Sequence, residues 1–229
     1  MRRGFVFLTT AAFAVTLAVP ATAGDADAAA ALYPPDAEPF GMTYAEWQGA
    51  YQVWLGEIPA PENPIFEPAS PRNCAEQPGG DMVFLGPVGA ECSVSDDVAL
   101  ALSPGLGFWE CSTAEGLGDT FAELRACARD NWAVDLDPAT FHQSVRIDGV
   151  RLHQQRRWVR TTPGEIIDFP EDNIWGAEPG PSKSVTKGFL FILRPLEEGA
   201  HRIVIHIVDA VFGEFRFVWR LEVVDDLQV

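Results

Sequence analysis

Two hydrophobic periods alternate along this 229-residue chain and assign most of its elements. Tyr44, Trp47, Tyr51, Trp54 and Leu55 return at helical intervals, so they share one face of a helix. Thr43 and Glu46 stand at capping-box spacing just ahead, which predicts a helix start there and an aromatic face laid on a sheet. Pro59, Pro61 and Pro64 end that helix, because proline brings no amide donor and holds its predecessor extended. From Cys74 to Glu110 short apolar runs (MVFLG, VALALS, LGFWE) alternate with glycine and proline, the pattern of strands and turns. Asp119 is placed to cap a second helix with Phe121, Leu124 and Cys127 on one side. Beyond Pro138 the period is two again. SVRI and VRLH flank Asp148-Gly149, a pair suited to a two-residue hairpin turn. Residues 161–187 read as a long connection, and three strong strands follow: GFLFILRP, HRIVIHIVD and EFRFVWRLEVV.

In the last two strands Ile203, Ile205 and Ile207, with Phe215, Phe217, Trp219, Leu221 and Val223, all fall on odd positions. Both odd sets must face the core, since a one-residue slip would send one of them into water. Among odd-with-odd registers, a loop of Val211, Phe212 and Gly213 places glycine where a left-handed residue is needed. It predicts Ile205 opposite Trp219 and Arg202 opposite Glu222, a favourable cross-strand pair. The fold expected is mainly β: a single antiparallel β-sandwich, Ig-like or jelly-roll-like, decorated by two short helices and stapled by two disulfides.

The chain ends refine this picture. Arg2 and Arg3 precede an uncharged run from Phe5 to Val19, and Ala21-Thr22-Ala23 supplies a small-residue cleavage pattern. Residues 1–23 therefore read as a secretory signal peptide, with Gly24 the expected mature N-terminus. Residues 24–39, small, acidic and Pro-rich, read as a flexible acidic leader, and residues 40–229 as one domain. No later stretch is apolar for long enough to span a bilayer, so no integral membrane segment is expected after cleavage. The formal charge of −17 becomes −19 once Arg2 and Arg3 are removed. A field of that sign repels nucleic acid and anionic lipid, and argues against a nucleic-acid partner.

Cys74, Cys92, Cys111 and Cys127 form an even set in a chain read as exported, where disulfides are the default. Of three pairings, Cys74–Cys92 closes a strand-turn-strand segment, and Cys111–Cys127 ties a strand end to the second helix.

Trp47, Trp54, Ile58-Pro59, Asn63-Pro64, Glu110-Cys111-Ser112 and Leu124-Arg125-Ala126-Cys127-Ala128 carry a resemblance. With Pro170-Glu171-Asp172-Asn173 and Gly199-Ala200-His201-Arg202-Ile203, they make the chain similar to a group of secreted bacterial proteins of unknown function, from Trp47 to Val223. Ser95-Asp96-Asp97 departs from the Pro-Ala-Gly-Lys-like turn of that group. Leu196 to Val223 separately resembles the last strands of bacterial Ig-like modules. Neither likeness implies a catalytic residue.

Candidate chemistry is sparse, and no residue is singled out as catalytic or as a metal ligand. His142 and His153 lie outside any ligand spacing, and His201 and His206 fall on opposite faces of one strand. Adjacent carboxylates such as Asp96-Asp97 and Asp225-Asp226 follow from a content of 33 acids. In the segment DFPEDNIWG, Asp168, Glu171, Asp172 and Asn173 offer hard oxygen atoms suited to Ca2+, and Trp175 offers a stacking face for a sugar. The same residues also describe a turn that bonds its own backbone while Trp175 pins it down. Arg151, Arg156, Arg157 and Arg160 either meet an anionic ligand or answer the acids of a neighbouring strand. The reading is an exported, non-enzymatic protein of the extracellular space or cell envelope that binds a glycan or a surface protein. The alternative is a secreted hydrolase acting on an extracellular polymer through paired carboxylates.

Overall fold

The structure is a computed structural model and describes residues 27–76, 80–135, 141–210 and 212–225. The signal segment and the first residues of the leader lie outside the described residues.

Helix α1 (Tyr44–Gly56) begins on the capping box that the sequence predicts: Thr43 Oγ1 accepts from Glu46 N–H and the Glu46 carboxylate accepts from Thr43 N–H. Its aromatic face packs on the strand β2 (Met82–Leu85), where Trp47, Tyr51 and Trp54 surround Phe84 with ring centroids 5.3–6.2 Å apart. Tyr51 is fully buried and donates its hydroxyl to the Leu85 carbonyl at 2.7 Å, so the phenol costs no unpaired polar group. Gly49 lets the helix approach its neighbours closely; a Cβ there would meet the Glu165 carboxylate at 2.1 Å.

The fold is mainly β, and the described residues form three sheets. The first is β1 (Ala75–Glu76), β2, β4 (Ala99–Leu102) and β11 (Phe191–Leu193), in that order. The second centres on β10 (Gly180–Phe189), with β5 (Phe108–Ser112) on one edge and β8 (Val159–Thr161) and β9 (Glu165–Phe169) along the other. The largest runs β3 (Gly89–Ser95), β13 (Gly213–Val224), β12 (Gly199–Asp209), β6 (Phe141–Ile147) and β7 (Val150–Arg151). The strictly antiparallel expectation is corrected: β3 runs parallel to β13, and β2 parallel to β4. Both pairings join strands separated by other elements, so no hairpin turn forces opposite directions.

Three other expectations change. Helix α2 (Phe121–Asp135) is capped by Thr120, not Asp119; the Thr120 hydroxyl accepts from Glu123 N–H and the Glu123 carboxylate turns back to Thr120. The supposed flexible leader is docked from residue 27 onward. Leu32 is buried and bridges Leu193, and the Tyr33 carbonyl accepts from the Tyr44 hydroxyl and the Trp158 indole. Short as it is, this segment extends the β11 edge and buries apolar surface there.

The third change is the register of the C-terminal hairpin. Ile203 lies opposite Trp219, Ile205 opposite Phe217 and Asp209 opposite Gly213, two residues away from the expected pairing. The odd positions still face the core, where Ile203, Ile205, Ile207, Trp219, Leu221 and Val223 are all buried. Gly213 takes its left-handed conformation (φ +99°) inside the ladder, and Asp209 Oδ1 closes the loop by accepting from Phe212 N–H at 2.8 Å. This register sets Arg202 against Arg220, a repulsive pair in an isolated hairpin. In the sheet, Asp148 flanks Arg202 on one side and Glu91 pairs with Arg220 on the other, so acids bracket the two arginines.

Asp148-Gly149 forms the two-residue turn expected, with both residues at positive φ (49° and 82°) and Ile147 paired to Val150. The disulfides join Cys74 to Cys92 and Cys111 to Cys127.

Candidate functional site

The structure does not gather the carboxylates of the 168–176 segment. Asp168 sits exposed on β9, and Glu171 and Asp172 are exposed in the turn beyond it. Asn173 is buried and organises the loop. Its Oδ1 accepts from Trp175 N–H and Ala177 N–H, while its Nδ2 donates to the carbonyls of Pro170 and Ala177. The turn that bonds its own backbone is thus the arrangement observed. Among the described residues no three His, Cys, Asp or Glu side chains converge as a metal site. His201 instead bonds Asp148 and the Glu197 carbonyl, each at 2.7 Å, and His206 bonds Glu214.

The arginine segment meets acids in part, Arg157 acting on Asp27 and Arg160 on Asp36, though neither acid belongs to a neighbouring strand. Arg151 stands opposite Arg146, and Arg157 lies over the Trp158 ring. Arg160 covers the Tyr44 ring and donates to the carbonyls of Pro35, Arg157 and Val159.

Trp175 leads to the site that the sequence did not reveal. It packs on Phe169 and helps to wall a cavity of about 330 Å3. Trp109 from β5, Trp132 from α2, and Phe108 and Phe212 supply the other aromatic walls. The cavity also exposes three acids: Glu110, Glu115 and Asp209. Glu110 belongs to β5, where the next residue, Cys111, is buried with Leu124 and Ala128 of α2; the Cys111–Cys127 disulfide fixes that strand to the helix bearing Trp132.

Glu110 is 6 % exposed. Its Oε1 accepts from the Ser184 hydroxyl at 2.5 Å, whereas its buried Oε2 meets no donor among the described residues. Glu115 lies beside it and takes its own hydrogen bond from the Ser112 hydroxyl at 2.8 Å. Burial first, and then the neighbouring Glu115 carboxylate, push the Glu110 carboxyl well above the usual range. Glu110 therefore keeps its proton to a higher pH than a solvated glutamic acid does. Chemically this pocket combines aromatic faces with two neighbouring carboxyl groups, one of them buried. An acid inside the apolar run LGFWE was its only trace in the sequence.

No family model and no curated protein matches the chain. Among solved structures, amebosin in solution is similar with a TM-score of 0.22 and 8% identity, covering 62% of this chain and 96% of that one. A cysteine protease inhibitor from Entamoeba histolytica is similar at a TM-score of 0.23 and 8% identity, covering 62% of this chain and 93% of that one. Overlaps this shallow carry no information on fold or function.

Proposed function

We propose that this chain is an exported, non-enzymatic binding protein with sandwich-like packing of its sheets, and that it seats a cationic organic group in the Trp109–Trp132–Trp175 cavity. The observation that carries the reading is Glu110, a buried acid in the wall of an aromatic pocket whose Oε2 has no donor among the described residues. An ammonium or guanidinium group fits such a place. Aromatic faces attract a desolvated cation by about 2 kcal/mol, and a cation beside Glu110 favours its ionised form against the burial and the Glu115 carboxylate that oppose it. The acidic chain as a whole draws cations inward as well. Export rests on the Arg2-Arg3 start, the apolar run and the Ala21-Thr22-Ala23 pattern, and two disulfides agree with an oxidising compartment. Among the described residues no helix is long and apolar enough to cross a membrane.

A hydrolase reading draws on the same acid, because a general acid also needs a carboxyl held protonated near neutral pH. Against it stands the contact between the two carboxyls. Glycosidase pairs stand about 5–10 Å apart across the scissile bond, whereas Glu110 and Glu115 lie side by side within hydrogen-bonding reach. Calorimetric titration with choline and with agmatine tests the proposal. Binding is expected, with proton release that Glu110→Gln abolishes and affinity that Trp132→Ala lowers at least tenfold. Preferential binding of a neutral oligosaccharide, or release of reducing ends from a polysaccharide, would replace it.

A further inference from the structure

A second concave surface has the opposite character. A groove of about 750 Å3 follows the outer edge of β6, where Arg151, Arg156 and Arg157 project beside Gln143, Gln154 and Gln155. None of the described residues that line it is acidic, although the chain carries a formal charge of −17. Among the described residues, Glu214 bonds His206 at the groove, and Asp27 accepts from the backbone N–H groups of Ala29 and His153 and lies in the field of Arg157. The arginines are also set against one another. Arg151 stands directly opposite Arg146, and the next residue across the sheet is Val204. The other arginine pair of this sheet, Arg202 with Arg220, has an acid on each side; this one has none across its strands. Like charges placed opposite each other oppose folding, and a bound anion relieves that opposition.

We infer that this groove binds an acidic glycan through the carboxylate or sulfate groups on its sugars. Guanidinium forks suit both anions, since each offers paired oxygens to parallel N–H donors. The neutral lining selects sugars over acidic peptides. Gln143 Oε1 is buried without a donor among the described residues, and a sugar hydroxyl supplies one. An added peptide strand would need the outward carbonyls of β6. Leu152 N–H already occupies that of Val145, and Gln155 Nε2 that of Gln143. The net negative charge of the chain does not forbid the contact, because salt screens charges beyond about 8 Å at physiological ionic strength.

Titration of the mature protein with tetragalacturonate, its methyl ester, a sulfated heparin-type pentasaccharide and hexaglutamate tests the inference. One or both acidic oligosaccharides should bind, and the stronger identifies carboxylate or sulfate as the group recognised. The methyl ester and hexaglutamate should bind at least tenfold more weakly. Arg151→Gln and Arg157→Gln should each weaken binding about tenfold, the scale of one charge-assisted contact. Arg72→Gln, which removes the same charge from an exposed pair with Glu62, should leave it unchanged. Unchanged melting temperatures show that the variants are folded. Absence of binding by both acidic oligosaccharides, equal binding of hexaglutamate, or equal losses in Arg72→Gln and Arg151→Gln would each overturn the assignment. Because no residue of the tryptophan cavity takes part, this result is independent of the cation titration.

Discussion

The hairpin register can be tested in solution by the coupling of single side chains. Trp219 is fully buried, lies opposite Ile203, and donates its indole N–H to the Gly86 carbonyl at 2.8 Å. Trp219→Phe keeps an aromatic ring but strands that carbonyl, which costs about 1–3 kcal/mol, with roughly 1 kcal/mol more for the lost ring volume. Ile203→Ala removes a side chain that is 1 % exposed and should cost about 2–5 kcal/mol. Residues directly opposite one another on a packed face interact, so the double variant should depart from additivity by about 0.5–1 kcal/mol. Ile205→Ala combined with Trp219→Phe should lie closer to additive, because Ile205 faces Phe217 and meets Trp219 only diagonally. Urea unfolding followed by far-ultraviolet circular dichroism, at constant pH and with disulfides intact, measures all three terms. A stronger coupling of Trp219 to Ile205 than to Ile203 would restore the register with Arg202 opposite Glu222 and refute the loop closure by Asp209.

Two further outcomes follow from the cavity and its staple. Burial and the neighbouring Glu115 carboxylate raise the Glu110 carboxyl in the fold, so the stability it contributes is complete below the ordinary carboxylate pKa of about 4.5 and is lost as pH rises through the raised folded value. Glu110→Gln should flatten that decline and melt higher than the parent protein at pH 8 relative to pH 5, and parallel pH profiles for the two proteins would show that the carboxyl is ionised in the fold. Replacing Cys111 and Cys127 together by serine opens a loop with a sequence separation of 16 and should lower stability by about 3 kcal/mol in denaturant titration, with an unchanged midpoint counting against the staple.

Short-range physics made several features readable from the residues alone. The Thr43–Glu46 box needs only four consecutive residues, the Asp148-Gly149 turn only two, and the core face of the last hairpin follows from strict alternation. Each is decided by interactions within a turn or a pleat. Register was not of this kind. Both odd-with-odd pairings bury the same isoleucines, and the choice rests on Asp209 bonding Phe212 N–H and on Asp148 and Glu91 flanking the two arginines. The docking of Leu32 on Leu193 and the parallel approach of β3 to β13 likewise depend on surfaces that exist only once the sheets have assembled. The cavity depends on this most of all. Trp109, Trp132 and Trp175 come from a strand, a helix and a loop, and Glu110 meets Ser184 across 74 residues of chain. In the unfolded chain Glu110 is an ordinary solvated carboxylate; only burial against Glu115 gives it a reason to keep its proton.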